Sequence, residues 1–474
     1  MTMILRDTKD MLQDRIFLGK ALKIACPVAM QGMLNTIVNL ADTMMIGTLG
    51  ATAIAAVGLA NKYFFVFNLL VFGIVSGGGI LAAQYWGNMD VKNIRRVLGL
   101  SLMIAFGGAL FFSGAGFFFP EGVMGIFTES SASIRLGASY LVVAVFSYPF
   151  TAVTNVYVSM LRAVGEVKLP VLTSCMAIVT NIILNFFFIF PSRTVELFGT
   201  GVGIYGLGLG VVGAALATLI ARILEMLVLV SVIYVKRSPV AAKFSEMVGY
   251  SRAFIYQFIR TASPVILNEF MWGLGTTMYS LAYGRMGDDA VAAITIATTI
   301  QDIVVVLFQG LSAATAVILG NEMGAGKLKQ AEKYATYFFI LQFLVTVAGA
   351  VVIVLGRGLV IACYSITPQV AADVSRLILI FALYMPAKMF NYVNVVGVLR
   401  SGGDTKMCLF LDTSGVWCIG VPLAFLGGLV WKLTICQVYA LVMLEEVYKM
   451  VLGYWRYRQK KWLKNLNTEI SGAG

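Results

Sequence analysis

The polar positions gather into short clusters. Between them run twelve long apolar segments, at about 24–48, 52–83, 97–119, 136–160, 170–191, 207–235, 256–284, 290–319, 334–356, 376–399, 407–430 and 433–455. Each is long enough to cross a hydrocarbon core about 30 Å thick at about 1.5 Å per helical residue. Lipid offers no partner to backbone N–H and C=O groups, so the pattern predicts helices. The first run is too long for the apolar core of a signal peptide, and no small-residue cleavage site accompanies it; it reads as a retained helix.

The halves repeat. Shifted by 237 residues, Pro27 falls on Pro264, Pro149 on Pro386, Leu49-Gly50 on Met286-Gly287, and Gln84 and Gly87 on Asn321 and Gly324. With one more residue of shift, Leu161-Arg162 falls on Leu399-Arg400, Gly165 on Gly403 and Lys168 on Lys406. Two units of six helices start on the same side, which predicts a pseudo-two-fold axis along the membrane normal with a cleft between the units. The N-lobe is expected at 1–240 and the C-lobe at 241–474, joined by the basic stretch near 236–253.

Basic residues orient the chain. With the N-terminus inside, the inside segments hold 25 of the 35 Lys and Arg and the outside loops 6; Lys62, Arg222, Lys388 and Lys449 fall within spans. Both termini are therefore expected in the cytoplasm, and the net charge of +12 reads as a topology signal rather than a nucleic-acid footprint. Composition agrees: among 474 residues 59% are hydrophobic and 12% charged, with a mean hydropathy of +0.87. Histidine is absent, which removes His bases and His metal ligands. Cys26, Cys175, Cys363, Cys408, Cys418 and Cys436 show no CxxC spacing and read as apolar packing residues. Short loops without N-x-S/T sequons fit a bacterial inner membrane.

Two lobes around a cleft favour a transporter working by alternating access, so ionisable residues inside the spans are the functional candidates. Asp42 stands about 28 Å along the first helix from Lys23, among Asn35, Thr36 and Asn39. Glu269 sits mid-span in the seventh segment. Neither has a cation at helical spacing, and their repeat mates are Tyr279 and Gly32, so the scaffold requires neither acid. Arg222 and Glu225 read as a structural pair, as do Glu445 and Lys449, which leaves Glu446 unpaired. Asp302 and Asp412 read as lone acids near helix ends, and Lys388 has no assigned partner. Asn181 and Asn185, one turn apart in the fifth segment, offer amide oxygens for a hard cation such as Na⁺ beside Asp42, or for interhelical hydrogen bonds. Tyr148, Tyr157, Trp272 and Tyr279, with Asn35 and Asn39, are candidates for lining a cleft that takes a cationic substrate. GVGIYG at 201–206 fits a dinucleotide fingerprint but has no βαβ context, and reads as an outside loop.

Several stretches together resemble the multidrug and toxic compound extrusion (MATE) family: Pro27 and Asp42, QYWG before a basic loop, LRAVGEVKLP at 161–170, GAALAT at 213–218, PVILNEFMW at 264–272, GNEMGAGK at 320–327 and LRSGGDTK at 399–406. The resemblance implies an all-α integral membrane fold of twelve helices in two V-arranged lobes. It implies export of cationic amphipathic compounds in exchange for H⁺ or Na⁺, without a cofactor. Asp42, Asn181, Asn185 and Thr218 then correspond to the N-lobe cation and proton site, and Glu269 to the glutamate of the seventh helix. The sequence departs from some members at Asn185, where they carry aspartate, and in 381–398, which lacks the acid some members have and carries Lys388. The protein is expected to be a monomer in the bilayer, with a small-molecule substrate and no nucleic acid. The rivals are a flippase for lipid-linked saccharide precursors and a major-facilitator exporter. A membrane enzyme is disfavoured by the absence of His and of a nucleophile elbow.

Overall fold

The computed structural model describes residues 2–197, 200–362, 364 and 366–467; Cys363 lies outside them. The helices are α1 (Thr2–Gln13), α2 (Arg15–Gly47), α3 (Ala51–Gly87), α4 (Val91–Phe118), α5 (Pro120–Gly125), α6 (Ser131–Ala144), α7 (Ser147–Ala163), α8 (Lys168–Ile189), α9 (Gly210–Val235), α10 (Arg252–Gly284), α11 (Asp288–Gly324), α12 (Leu328–Ala362), α13 (Pro368–Asn391), α14 (Thr405–Ser414), α15 (Val421–Phe425), α16 (Ile435–Val442) and α17 (Leu444–Arg458). Among the described residues nine helices are long and apolar enough to cross a membrane, or ten if α6 and α7, bent by 52°, form one span. With α10 and the α16–α17 pair they follow the order of the twelve apolar segments.

The repeat shows in the first two long helices of each half. Helices α2 and α10 each have 33 residues with a proline at the same turn, and α3 and α11 each have 37. The caps that precede α3 and α11 are Gly50 and Gly287, with φ of 109° and 111°, a conformation that only glycine adopts without strain. Contacts obey the same symmetry. Gly73 of α3 lies against Ile266 of α10, and its mate Gly310 of α11 against Ala25 and Ala29 of α2. Near the basic loops the cores interchange: Phe17, Ala21 and Ile24 join the core of the second half, while Phe254, Phe258 and Ala262 join that of the first.

The bend between α6 and α7 has a local cause. Pro149 has no N–H to give the Val145 carbonyl, which accepts from Ser113 Oγ at 2.7 Å instead. The fourth apolar segment is thus broken rather than straight. Three π-helical turns, Tyr392–Leu399, Gly415–Gly420 and Leu426–Val430, interrupt the tenth and eleventh segments. The stretch read as an outside loop forms an antiparallel hairpin, β1 (Pro191–Leu197) with β2 (Thr200–Leu207). The charged N-terminus is helical as α1.

The halves meet most closely on the face of the basic loops. A methyl group added at Gly87 would overlap the Asn321 carbonyl, and one at Gly324 the Gln84 carbonyl. The segment after α17 crosses this junction. Gln84 Nε2 donates to the carbonyls of Ser401 (2.8 Å) and Lys464 (3.1 Å), while its Oε1 accepts from the Leu466 N–H (2.7 Å). Gln257 Nε2 donates to the Leu466 carbonyl at 2.9 Å. Beside it the linker is fastened by Arg95, whose Nη1 donates to Glu246 Oε1 at 2.6 Å. The Lys243 backbone N–H, helped by Arg95, holds the exposed Glu246 carboxyl below the usual carboxylate range.

Because the obstacle at Gly324 is backbone, Gly324→Ala is expected to destabilise the closed junction by about 1–3 kcal/mol, as overpacking does. A melting temperature equal to wild type would show that the two helix ends part freely.

Candidate functional site

Helix α8 places Asn181 and Asn185 one turn apart on a face toward α2 and α9. There the four residues that the sequence reading grouped come together. Asn185 Nδ2 donates to Asp42 Oδ1 at 2.6 Å and to Asn181 Oδ1 at 3.1 Å, and Asn181 Nδ2 donates to Thr218 Oγ1 at 3.2 Å. Among the described residues Asp42 forms no ion pair. The guanidinium that acts on it electrostatically, Arg222, is bound to Glu225 Oε2 at 2.8 Å. Asn185 Oδ1 is buried without a protein partner. The acid is therefore held by a neutral amide, with an unused carbonyl oxygen on that amide. Buried Tyr140 of α6 lies within electrostatic reach of Asp42, a neighbour that no sequence spacing indicated. The oxygens of Asp42, Asn181, Asn185 and Thr218 are the hard donors that suit an alkali cation, and a carboxylate also suits a proton.

Glu269 is different. It was read as a lone acid, and the structure corrects that: Arg400 Nη2 donates to Glu269 Oε1 at 2.9 Å, and Arg400 is 2% exposed. The partners are 131 residues apart, so helical spacing could not reveal the pair. Arg400 was counted as a charge of an inside loop, yet it is buried beside Ser76 of the first half. A signal was available, since Arg400 is the repeat mate of Arg162, and Arg162 Nη2 donates to Gln31 of α2. The arginine link differs between the halves, Arg162 binding Gln31 and Arg400 the residue after the mate of Gln31, but the next bond recurs. Gln31 Nε2 donates to Ser174 Oγ at 2.7 Å, and its mate Asn268 donates through Nδ2 to Asp412 Oδ2 at 2.9 Å. Asp412 is thus bonded rather than alone.

Arg222–Glu225 is a pair, with Ser174 Oγ donating to Glu225 Oε1 at 2.8 Å. Lys449 pairs with Glu445 at 3.5 Å and also with Glu446 at 3.2 Å, so Glu446 is not left unpaired. Asp302 is exposed on α11 with Lys388 in electrostatic reach, and Lys388 Nζ stands 5.8 Å from the Phe381 ring centroid.

The aromatic candidates divide. Tyr148 is 2% exposed and stacks on Phe67 at 4.7 Å, and Tyr157 is buried with its hydroxyl 3.4 Å from that of Tyr234. Both belong to the core of the first half, not to an open wall. Trp272, Asn35 and Asn39 are exposed. Tyr279 is half-buried and donates through its hydroxyl to Glu445 Oε2 at 2.5 Å.

Comparison with known proteins adds the following. A sequence model of the family described as MatE matches residues 27–187 and 264–426, two blocks whose starts are offset by the repeat interval. The multidrug resistance protein PmpM of Pseudomonas aeruginosa is 23% identical over 424 residues, covering 88% of this chain and 85% of its own. The probable multidrug resistance protein NorM of Thermotoga maritima is 22% identical over 455 residues, covering 94% and 92%. Among solved structures, one described as MATE in the bent conformation superposes with a TM-score of 0.83 at 20% identity over 96% of this chain and 97% of that one. An outward-facing multidrug resistance MATE family transporter superposes with a TM-score of 0.81 at 20% identity, covering 93% and 95%.

Proposed function

The chain belongs to the MatE family of multidrug efflux transporters, and from that premise we propose that it is a secondary antiporter that exports cationic amphipathic compounds in exchange for H⁺ or Na⁺ at Asp42. The observation that carries this reading is the Asp42 carboxylate, bound by Asn185 and by no basic group among the described residues. A charge shielded from water is costly unless something cancels it. A proton, a Na⁺ ion held with the oxygens of Asn181, Asn185 and Thr218, and the cationic group of a substrate can each do so. They compete for one negative charge, and that competition couples their movements.

Coupling then needs only that the occupant bias the packing of the lobes, residues 1–240 and 241–474, since a ligand shifts an equilibrium by its differential affinity for the two states. One elementary charge moving through about 100 mV supplies roughly 2.3 kcal/mol, about a fifty-fold gradient. Asn35, Asn39 and Trp272, exposed on α2 and α10, are the groups in this reading that meet the substrate, Trp272 through its ring face. The protein works as a monomer in a bacterial inner membrane with both termini in the cytoplasm, and it uses no cofactor.

A flippase for lipid-linked saccharides would need unpaired cations to hold a pyrophosphate. Here Arg162, Arg222, Arg400 and Lys449 are each already bound, to Gln31, Glu225, Glu269 and the Glu445–Glu446 pair, and among the described residues only Lys62 and Lys388 of the in-span basic residues form no ion pair. Purified protein in vesicles is expected to move a cationic dye against its gradient when a H⁺ or Na⁺ gradient of opposite direction is imposed, and to stop when the gradient is collapsed. Dye movement indifferent to both gradients would refute the exchange.

A further inference from the structure

The last helix of the second half carries one buried carboxylate more than its ammonium neutralises. On α9 Arg222 and Glu225 form an i,i+3 pair, one charge against one. On α17 Lys449 faces both Glu446, at i,i+3, and Glu445, at i,i+4. Glu445, Glu446 and Lys449 are 5%, 5% and 6% exposed, so two carboxylates face one ammonium out of water. Lys449 stands nearer Glu446, which also accepts from Asn391 Nδ2 at 2.8 Å. The uncompensated charge therefore falls on Glu445.

The partner of Glu445 is telling. Its Oε2 accepts from the hydroxyl of Tyr279 on α10, and Tyr279 is the repeat mate of Asp42 on α2. In the first half the acid stands on the first helix of the repeat and its polar partners on α8 and α9. In the second, the position of that acid carries a phenol, and an acid faces it from the last helix. Acid and partner have exchanged helices across the pseudo-two-fold axis.

The groups around Glu445 are Tyr279 and Tyr283 of α10, Lys388 of α13, Asp412 of α14, Tyr439 of α16, and Glu446 and Lys449 of its own helix. The packing layer also holds polar atoms without protein partners. Asn391 Oδ1 is one. Asn394 is fully buried with neither amide atom bonded, and its Nδ2 lies 2.8 Å from where a Cβ of Gly453 would stand, on α17 one turn beyond Lys449.

We propose that Glu445, facing Tyr279, is a second proton-binding site, in the C-lobe, that gains and loses one proton during transport. The step is a simple protonation: a proton from water bonds to a carboxylate oxygen of Glu445 and leaves the cluster of two acids and one ammonium neutral. A proton suits the place better than Na⁺. The Lys449 ammonium already occupies the carboxylates and repels a second cation. The proposal rests on reading the chain as an ion-coupled antiporter with Asp42 as its first coupling acid.

The test is infrared difference spectroscopy of the purified full chain under pH titration. Wild type is expected to show carboxylic-acid carbonyl bands that disappear on alkalinisation, one carboxyl's share being absent in Glu445→Gln and a separate share in Asp42→Asn. Tyr279→Phe keeps the ring and all the acids, and should keep the Glu445 band while moving its midpoint. That variant covers the case in which Glu445→Gln fails to fold. Spectra of Glu445→Gln that superimpose on wild type, a midpoint unmoved by Tyr279→Phe, or a Glu445 band removed by Na⁺ at constant pH would each overturn the proposal. Failure of the antiport reading shows elsewhere, as dye transport that ignores imposed gradients while these bands behave as described.

Discussion

Asp42→Asn is expected to reduce gradient-driven export of a cationic dye by about a hundredfold or more, because it removes the one charge for which substrate and coupling ion compete and so uncouples their movements. The variant should fold and express normally. The amide oxygen it introduces can still accept from Asn185 Nδ2, and no ion pair is broken among the described residues. Asp42→Glu keeps the charge but displaces it by one methylene from Asn185, so partial activity is the expected result. The measurement is initial export rate in vesicles at matched protein density. A rate for Asp42→Asn within a factor of two of wild type would remove Asp42 from the mechanism.

The second large effect concerns stability. Arg400→Met is expected to cost about 3–5 kcal/mol, because it leaves the Glu269 carboxylate buried and unpaired, and Glu269→Gln a comparable amount for the converse reason. The double variant should recover much of the loss, since neither charge then remains to be compensated. Asn268–Asp412 repeats the Gln31–Ser174 bond of the first half, but Arg400 binds Glu269, whose repeat mate is Gly32, whereas Arg162 binds Gln31 itself. Melting temperatures of the four proteins in detergent decide it. Losses that simply add would show that the two side chains do not act as a pair.

Much of this was legible in the sequence because it is periodic or local. Proline and glycine at an interval of 237 marked the repeat, and the paired helices have equal lengths and matching caps. Asn181 and Asn185 share a helix face by spacing alone, and the polar run ending at Asp42 pointed to the same region. What stayed hidden depends on partners far apart in sequence or on which face of a helix meets lipid. Glu269 looked unpaired because Arg400 lies 131 residues away. Glu446 was left without a partner because one lysine was assigned to one acid, whereas the turn of α17 presents Lys449 to both. Tyr148 and Tyr157 were read as cleft aromatics although nothing in their spacing distinguishes a cleft from a core. The bend between α6 and α7 could have been anticipated from Pro149; the β1–β2 hairpin could not, since glycine-rich loop composition is compatible with either.

The central claim is that one carboxylate is contested by substrate and coupling ion. Equilibrium binding of a fluorescent cationic dye to the purified protein, titrated across pH and Na⁺ independently, measures that contest without the complications of transport. The dye's apparent Kd is expected to rise in proportion to the concentration of the coupling ion while the number of sites stays constant, and Asp42→Asn is expected to bind weakly and indifferently to both ions. Dye affinity in wild type that is unchanged by H⁺ and Na⁺ alike would contradict it.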